Sequence, residues 1–330
     1  MAKRQTRYVV LEALRRQDGE FLSSTALTEK LGVTRAAIWK AVVALKEEGY
    51  PIRSVTGEGY ALEGEPDVLS EREIARHLAT RWLGRTLCCQ PQMESTNAHL
   101  KALAAGGELR HGLVAVAGEQ TGGRGRGGRS FYSPPGGLYF SAALQQPLPL
   151  SALRLLTLAS AVAICEGIAN CCGLQVDIKW PNDLYWGGRK LGGILTECSL
   201  VGESGELEYA VCGAGLNCAA TPCPPELRGE IVSLEEALGG PSPARAALLA
   251  ALLQRLEGAF DQLLQGEGNQ SLLEGYRARL LWVGETVEVA RGSERYQAVF
   301  EGVDGEGRAL LQTGREVQAL SSGEIRLKKR

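Results

Sequence analysis

Apolar residues recur every three or four positions along the first part of the chain, which is the spacing of one buried helix face. This spacing predicts three helices, at 5–17, Thr25–Leu31 and about Arg35–Glu48. Between the last two, Gly32-Val33-Thr34 is a tight turn with Thr34 as the N-cap. Two short strands follow, Ile52–Val55 and Tyr60–Leu62, on either side of a Gly-containing turn. These elements predict a winged helix-turn-helix domain over residues 1–65.

The middle of the chain alternates between strand-like and helix-like stretches, after a polar linker at 63–67. Strands are predicted at Thr86–Pro91, Leu113–Ala117, Leu138–Leu144, Val176–Lys179, Leu191–Ser199 and Leu207–Leu216. Helices are predicted at Asn97–Ala105, 150–172 and about Ala244–Leu264. A further helix is predicted to begin at a capping box of Ser70 and Glu73, with Ile74, Leu78 and Trp82 on one face. The alternation predicts a mixed sheet with helices packed against it over residues 66–275.

After Tyr276 the chain consists of short strand-like runs separated by Gly-rich turns. The predicted strands are Glu285–Ala290, Tyr296–Val303, Ala309–Gln312, Glu316–Leu320 and Glu324–Leu327. Short strands at this spacing are typical of a small barrel. We therefore predict a β-barrel domain over residues 276–330, which makes the whole chain a multidomain α/β (α+β) protein.

Composition narrows the class of protein. The net charge is −2, so the chain as a whole is not an electrostatic nucleic-acid binder, but residues 1–62 contain ten Lys and Arg against seven Asp and Glu. The nine cysteines form no Cys-x-x-Cys pattern, and we expect reduced thiols of a cytoplasmic protein rather than zinc ligands or disulfides. The most apolar stretch, Leu150–Cys172, is interrupted by Arg154 and Glu166, so we predict a buried helix and no membrane contact.

The segment Gly118–Arg129 combines dense glycines with three arginines, Arg124, Arg126 and Arg129. Glycine lets the backbone approach a ligand closely, and arginine supplies a rigid fork of donors for carboxylate or phosphate. The pattern favours an ordered anion-binding loop. The alternative is an RNA-binding segment rich in Arg and Gly, although such segments are usually longer and this one lies between two apolar strands.

Three further motifs each allow a chemical and a purely structural interpretation. Lys179-Trp180-Pro181-Asn182-Asp183 and Arg189-Lys190-Leu191-Gly192-Gly193-Ile194 could bring cations to phosphates and a carboxylate to Mg²⁺, or could form a β-hairpin with exposed charges. Ser95-Thr96-Asn97 could contact a ligand or only cap a helix. Gly213-Ala214-Gly215-Leu216-Asn217 could let a nucleotide approach closely, or could be a β-bulge and turn.

Taken together and in this order, the motifs resemble those of biotin–protein ligases. The resemblance is strong over residues 85–220, and the N-terminal head and C-terminal strands extend it to the bifunctional biotin operon repressor/ligases over nearly the whole chain. The resemblance implies a catalytic domain like that of class II synthetases, followed by an SH3-like barrel. It also implies an enzyme that joins biotin to ATP, forms biotinyl-5′-AMP and transfers biotin to a lysine of a biotin carboxyl carrier domain.

The resemblance implies a role for each motif residue. Lys190 and Arg124 are expected to be catalytic, with Lys190 between the biotin carboxylate and the α-phosphate. Biotin is expected to contact Ser95, Thr96, Asn97, Gln120, Arg124, Gly125, Arg126, Lys190 and Gly193. ATP and the adenylate are expected to contact Arg126, Arg129, Lys179, Asn182, Asp183 and Asn217, with Mg²⁺ near Asp183. The loop expected to cover the adenine, Thr221–Ser233, contains no Trp, and Ile231 or Val232 could pack there instead.

The N-terminal head implies a second activity, repression of biotin synthesis genes with biotinyl-5′-AMP as corepressor. The helix at about Arg35–Glu48 is expected to read operator DNA through Thr34, Arg35, Trp39 and Lys40, with phosphate contacts from Lys46 and Arg53. One head reads one half-site, so a homodimer promoted by the ligand is expected. Three alternatives stay open: a head used for packing or protein contacts, a repressor that senses biotin without ligase activity, and a lipoate–protein ligase.

Overall fold

The computed structural model describes residues 2–146, 152–201, 206–265, 269–292 and 294–327. It divides into two compact units, Met1–Val68 and Leu69–Arg330. The first unit ends close to the boundary predicted at residue 65. The second contains both the central sheet and the C-terminal strands, and one hydrophobic cluster includes side chains of both, such as Phe140 and Phe300.

The N-terminal unit contains three helices, α1 (Ala2–Arg15), α2 (Ser24–Leu31) and α3 (Arg35–Glu47), and two strands, β1 (Ile52–Val55) and β2 (Gly59–Leu62). Hydroxyl caps fix the starts of both helices of the helix-turn-helix, because Ser23 Oγ accepts from the Ala26 N–H and Thr34 Oγ1 accepts from the Ala37 N–H. The core of the unit includes Leu14, Leu27 and Ile38. The predicted helices and the antiparallel β1–β2 wing are therefore confirmed.

The central sheet has seven strands in the order β3-β4-β5-β9-β8-β7-β6. Their bounds are β3 (Leu87–Gln90), β4 (Val114–Ala117), β5 (Leu138–Leu144), β6 (Asp177–Lys179), β7 (Asp183–Trp186), β8 (Arg189–Val201) and β9 (Glu206–Leu216). Only the β3–β4 pair is parallel among these ladders. Strand β7 was not predicted as a strand, because its first residue, Asp183, belongs to a Pro-Asn-Asp run that is typical of a turn.

Six helices accompany the central sheet: α4 (Glu71–His77), α5 (Thr96–Ala105), α6 (Ala152–Cys172), α7 (Leu234–Leu238), α8 (Arg245–Leu264) and α9 (Asn269–Arg277). Helix α6 packs against α8. By length and composition, Leu153–Cys172 of α6 could cross a membrane, but 61% of the most apolar window is buried inside the protein, so we describe it as the predicted core helix. The predicted positions 150 and 151 lie outside the described residues.

The prediction that Trp82 shares a helix face with Ile74 is wrong, because α4 ends at His77. The backbone N–H groups of Arg81, Trp82 and Leu83 instead donate to the buried carboxylate of Glu257 on α8, at 2.7–2.9 Å. This carboxylate satisfies three donors that an irregular segment cannot satisfy itself.

The C-terminal strands form one antiparallel sheet in the order β13-β12-β11-β10-β14. Their bounds are β10 (Thr286–Arg291), β11 (Glu294–Val303), β12 (Ala309–Thr313), β13 (Glu316–Leu320) and β14 (Glu324–Leu327). The small C-terminal β domain that the sequence predicts is therefore present, as a five-stranded antiparallel sheet among the described residues. Hydrogen bonds connect it to the rest of its unit, such as the one from Trp180 Nε1 to Gly307 O.

Candidate active site

A cavity opens where the start of α5, the Gly/Arg loop and strands β7 to β9 meet. Twelve of the predicted site residues line it: Ser95, Thr96, Asn97, Gln120, Arg124, Gly125, Arg126, Arg129, Asn182, Asp183, Lys190 and Gly193. Four further lining residues, Ile194, Gly213, Ala214 and Gly215, belong to motifs that the sequence singled out without assigning them a contact. Ser130, Phe131 and Leu195 were not predicted, because they belong to no motif. Lys179 and Asn217 are not among the lining residues.

One wall of the cavity is a set of neutral polar side chains with fixed orientations. The Gln120 Oε1 accepts from the backbone N–H of Thr96 at 2.9 Å, while Gln120 Nε2 donates to Ser133 Oγ at 3.1 Å. The Thr96 Oγ1 and the Asn97 Oδ1 each lie 2.6 Å from Ser141 Oγ. Such a wall suits a ligand with several hydrogen-bonding groups, because each polar group that is buried needs a partner.

The glycines of β9 make room for the protein's own side chains. A side chain at Gly213 would collide with the Asn97 amide, and a Cβ at Gly215 would lie 2.6 Å from the Phe131 ring. The pairing of β9 with both neighbouring strands is regular across Gly213–Leu216, so the β-bulge interpretation of this motif is wrong. Close approach explains the two glycines, and the groups that approach here are Asn97 and Phe131.

The Gly/Arg loop folds back on itself next to this wall. The Gly125 N–H donates to Arg129 O at 2.7 Å and the Phe131 N–H donates to Gly123 O at 2.9 Å. Between these contacts, Arg126–Gly128 form a short 3₁₀ turn in which Gly127 and Gly128 have φ angles of 65° and 75°. Positive φ angles favour glycine, so two of the loop's glycines serve this turn. The compact turn supports the ordered-loop interpretation over the long RNA-binding segment.

Charged side chains also line the cavity. Lys190 Nζ lies 2.7 Å from Asp183 Oδ1 and 5.4 Å from the centre of the Phe131 ring. Arg124 is exposed and lies 3.8 Å from Glu94. Burial lowers the pKa of Arg126, and the neighbouring Arg129 lowers it further. Four cations and one carboxylate, Asp183, therefore line the cavity, which is the charge balance of a site for anions.

Two predicted phosphate ligands contact the C-terminal sheet. Lys179 Nζ lies 3.8 Å from a Glu324 carboxylate oxygen and 5.6 Å from the ring centres of Tyr185 and Trp282. Burial lowers the pKa of Lys179, although Asp183 and Glu324 act in the opposite direction. Arg129 also binds Glu324, at 2.9 Å. Glu324 thus joins the Gly/Arg loop, β6 and the C-terminal sheet, and sequence alone gave no signal of it.

Asn217 lies beside a second cavity, which is lined in part by Arg189, Ile231 and Val232. Its Nδ2 donates to Lys190 O at 3.3 Å and to Val232 O at 3.1 Å. The backbone of Lys190 also pairs with the loop, because its N–H donates to Glu230 O and its carbonyl accepts from the Val232 N–H. The loop 221–233 is therefore attached to the strand that carries Lys190.

Among the residues that the structure describes, no cluster of three or more His, Cys, Asp or Glu could hold a metal ion. Asp183 offers one carboxylate in the cavity. One carboxylate fits Mg²⁺ that arrives bound to a nucleotide, because Mg²⁺ is usually held by one or two carboxylates together with substrate phosphates and water.

The N-terminal unit exposes the residues predicted to read DNA. Trp39 is 58% exposed on α3, and Lys40 next to it is also exposed. Arg35 donates to Thr25 Oγ1 at 2.9 Å, which orients its side chain from α3 toward α2. The predicted phosphate contacts have partners within the unit, since Lys46 donates to Ser54 Oγ and Arg53 lies 3.1 Å from Glu63.

Comparisons with known proteins agree with this arrangement of parts. The model of the biotin/lipoate A/B protein ligase family matches residues 89–217, an HTH domain model matches residues 6–61, and the biotin protein ligase C terminal domain model matches residues 283–328. A biotin protein ligase from Aquifex aeolicus, solved in complex with biotin and ATP, is 26% identical with a TM-score of 0.63 and covers 74% of this chain and 100% of its own. Fold and site thus define a biotin protein ligase.

Similarity over the full length narrows the class further. The chain is 33% identical over 322 residues to the bifunctional ligase/repressor BirA of Bacillus subtilis (strain 168), covering 96% of this chain and 97% of that protein. It is 32% identical over 313 residues to BirA of Escherichia coli (strain K12), covering 94% of each. The chain belongs to the family of bifunctional biotin ligase/repressors, and it is an enzyme with an N-terminal DNA-binding head.

Proposed function

We propose that the chain converts biotin and ATP into biotinyl-5′-AMP and pyrophosphate, and then transfers biotin to a lysine of a carboxyl carrier domain. The observation that carries the proposal is a single cavity lined both by neutral polar groups and by four cations. Biotin combines a polar ureido ring with a carboxylate, and ATP is a polyanion, so one cavity of this kind serves both ligands. A sensor that binds biotin without ligase activity would not need four cations, because biotin carries a single carboxylate.

The residues divide between the two ends of biotin. The ureido ring binds the wall of Ser95, Thr96 and Gln120, and the carboxylate points toward Lys190. Asn97, Gly125 and Gly193 complete the biotin site by shaping its walls. The exposed Arg124 and half-buried Arg126 close over the ligand, because both belong to the loop that folds back on itself at the edge of the cavity.

The first step brings two anions together, so catalysis depends on position and positive charge. Lys190 neutralises the carboxylate and the α-phosphate as they meet, and releases Asp183 when it does so. Arg126 and Arg129 bind the phosphates. Lys179 supports these two arginines from the side of the C-terminal sheet, because Glu324 contacts both Lys179 and Arg129. Mg²⁺ supplies further neutralisation of the triphosphate when bound, with Asp183 as its protein ligand and Asn182 near the nucleotide.

We assign the nucleoside to the side of Asn217 and the loop 221–233. This loop pairs with the backbone of Lys190, so a nucleotide there is next to the reacting carboxylate. Ile231 and Val232 offer apolar surface for the adenine, which needs no Trp. The nucleotide then closes the loop over the intermediate, which limits its hydrolysis.

The head gives the ligase its second activity. We propose that Thr34, Arg35, Trp39 and Lys40 read a half-site in operator DNA of biotin synthesis genes, with Lys46 and Arg53 at the phosphates. A homodimer promoted by biotinyl-5′-AMP reads both halves of a palindrome. In this proposal the protein works in the cytoplasm, where its carrier-domain substrate and its operator meet. In the same proposal, residues 1–65 bind DNA, residues 66–275 form the catalytic domain, and residues 276–330 form a C-terminal domain that supports the phosphate site.

Pyrophosphate release distinguishes the candidate functions. The full chain is incubated with ATP, Mg²⁺ and either biotin or lipoate, and pyrophosphate is measured with and without a carrier domain. The proposal predicts release with biotin and labelling of the carrier lysine, and little release with lipoate. Biotin binding without pyrophosphate release would identify a sensor, and equal or faster release with lipoate would identify a lipoate ligase.

A further inference from the structure

Five side chains form a continuous hydrogen-bonded series, which we call the amide–hydroxyl series: Glu197, Asn97, Ser141, Thr96 and Gln120. At its outer end, Glu197 accepts from Asn97 Nδ2 at 2.8 Å and from Lys101 Nζ at 2.5 Å. At its inner end, Thr96 and Gln120 line the cavity, whereas Ser141 and Glu197 do not. The series therefore connects an ion pair outside the cavity to its polar wall.

The charge of Glu197 determines which atom donates and which accepts at the outer end of the series. Burial acts to raise the pKa of Glu197, but the hydrogen bonds from Lys101 and Asn97 outweigh it and hold the pKa below its ordinary value. The group is thus a carboxylate at neutral pH and accepts only. Asn97 must turn its Nδ2 toward Glu197 and toward Leu195 O, at 3.1 Å, so its Oδ1 faces Ser141.

The next two hydrogens follow from this orientation. Asn97 Oδ1 only accepts, so the 2.6 Å contact with Ser141 uses the single hydroxyl hydrogen of Ser141. The 2.6 Å contact between Ser141 and Thr96 then uses the hydroxyl hydrogen of Thr96. Thr96 Oγ1 is left with a free lone pair.

Gln120 is fixed from its other side. Its Nε2 donates to Ser133, whose hydroxyl lies 3.0 Å from Phe131 O, so Gln120 Oε1 faces Thr96. Thr96 Oγ1 and Gln120 Oε1 lie within hydrogen-bonding distance, at 3.2 Å, but the single hydroxyl hydrogen of Thr96 serves the shorter 2.6 Å contact with Ser141, so both oxygens can accept from a ligand. The wall presents a pair of acceptors to the cavity.

We propose that Glu197 is a positioning residue that sets the donor and acceptor direction of the cavity wall through Asn97 and Ser141, and so selects a ligand that brings an N–H group. This inference rests on the proposed function, in which the N–H group is one of the two in the ureido ring of biotin. Asn97 then acts on the ligand through Ser141 and Thr96, because protein partners already occupy both ends of its amide.

Kinetics with biotin and its two singly N-methylated ureido analogues test the proposal. Glu197→Ala removes the charged acceptor of Asn97 and leaves only Leu195 O, which holds the amide less firmly, so we expect the KM for biotin to rise about tenfold, with kcat and the KM for ATP changed less than about threefold. Discrimination between biotin and the worse N-methyl analogue falls as well, which a general loss of structure would not cause. Glu197→Gln keeps a carbonyl acceptor for Asn97 and restores most of the affinity.

Two further variants act on either side of Glu197. Ser141→Ala removes the acceptor for the Thr96 hydrogen, which then turns to Gln120 Oε1, and we expect the same loss of discrimination. Lys101→Met is the matched control, because it removes the ion pair and leaves the carboxylate, so its KM for biotin stays within about threefold of the wild type. Thermal unfolding verifies that each variant is folded, and Ser141→Ala carries the test if Glu197→Ala does not fold.

An unchanged KM for biotin in both Glu197→Ala and Ser141→Ala would overturn the inference. An equal rise of the KM for biotin and for the N-methyl analogues would overturn it as well. An effect of Lys101→Met as large as that of Glu197→Ala would assign the role to the ion pair instead. A wild-type chain that releases no pyrophosphate with biotin would contradict the proposed function, which is a different result from an active wild type with unaffected variants.

Discussion

Removal of Lys190 is the perturbation whose effect on catalysis follows most directly from the structure. Lys190 and Asp183 form a close ion pair with side chains 27% and 23% exposed. At an effective dielectric constant of about 20, two charges about 4 Å apart interact by about 4 kcal/mol. Lys190→Ala removes this attraction for the substrate anions and leaves Asp183 as an uncompensated negative charge in the cavity.

We expect the rate of adenylation to fall by about two to three orders of magnitude, the loss typical of one oriented donor at a developing charge. Folding changes far less, because a partly exposed ion pair contributes about 1 kcal/mol or less to stability. Biotin-dependent pyrophosphate release measures the first quantity and thermal unfolding measures the second.

Two control variants separate the effect of the charge from the effect of removing any cation on the protein. Lys190→Arg keeps the charge with different geometry and should retain part of the rate. Arg255→Ala removes a cation that does not line the cavity and lies 3.9 Å from Glu166, so its rate should equal that of the wild type. A Lys190→Ala enzyme that is folded and within about threefold of the wild-type rate would refute the assignment.

Three further predictions concern other parts of the molecule. Gly213→Ala pushes the Asn97 amide out of place, and we expect weaker biotin binding by about tenfold or more in calorimetry, whereas unchanged affinity would contradict the close-approach explanation of the motif. Burial acts to raise the pKa of Glu257, but three backbone donors outweigh it and hold the pKa low, so its contribution to stability is present at neutral pH and is lost as the pH falls. Glu257→Gln should therefore destabilise the protein by about 2 kcal/mol at pH 7 and by less near pH 4 in chemical unfolding, and a loss independent of pH would argue against this reasoning. Arg35→Ala should weaken binding to a duplex selected from a random pool by about tenfold without changing pyrophosphate release, and a parallel loss of both would count against separate roles for the two units.

Local patterns in the sequence predicted most of the fold. Hydroxyl caps such as Thr34 and the regular apolar faces of the long helices depend on residues a few positions apart, which sequence displays directly. The prediction failed where distant residues decide the structure. Trp82 continues the spacing of α4, yet the carboxylate of Glu257 holds its backbone in an irregular segment. The order of the C-terminal strands likewise depends on distant pairing, such as that of β10 with β14.

In the candidate site, too, local motifs were predicted and contacts between distant residues were not. The motifs supplied twelve residues that line one cavity, because chemical groups at fixed spacing are visible in sequence. The partners of those residues were not visible. Glu197 lies 100 positions from Asn97 and Glu324 lies 195 positions from Arg129, and single carboxylates at such distances have no local signature. Lys179 lies on the side of Glu324 because β6 ends next to the C-terminal sheet.

A crystal structure of the chain with biotin and ATP, or with biotinyl-5′-AMP, tests the central claim most directly. The account predicts the ureido ring between Thr96 and Gln120, the acyl-phosphate bond within hydrogen-bonding reach of Lys190 Nζ, and Arg124 and Arg126 closed over the ligand. Biotin bound away from this wall, or a mixed anhydride beyond the reach of Lys190 with the Lys190–Asp183 pair intact, would contradict it.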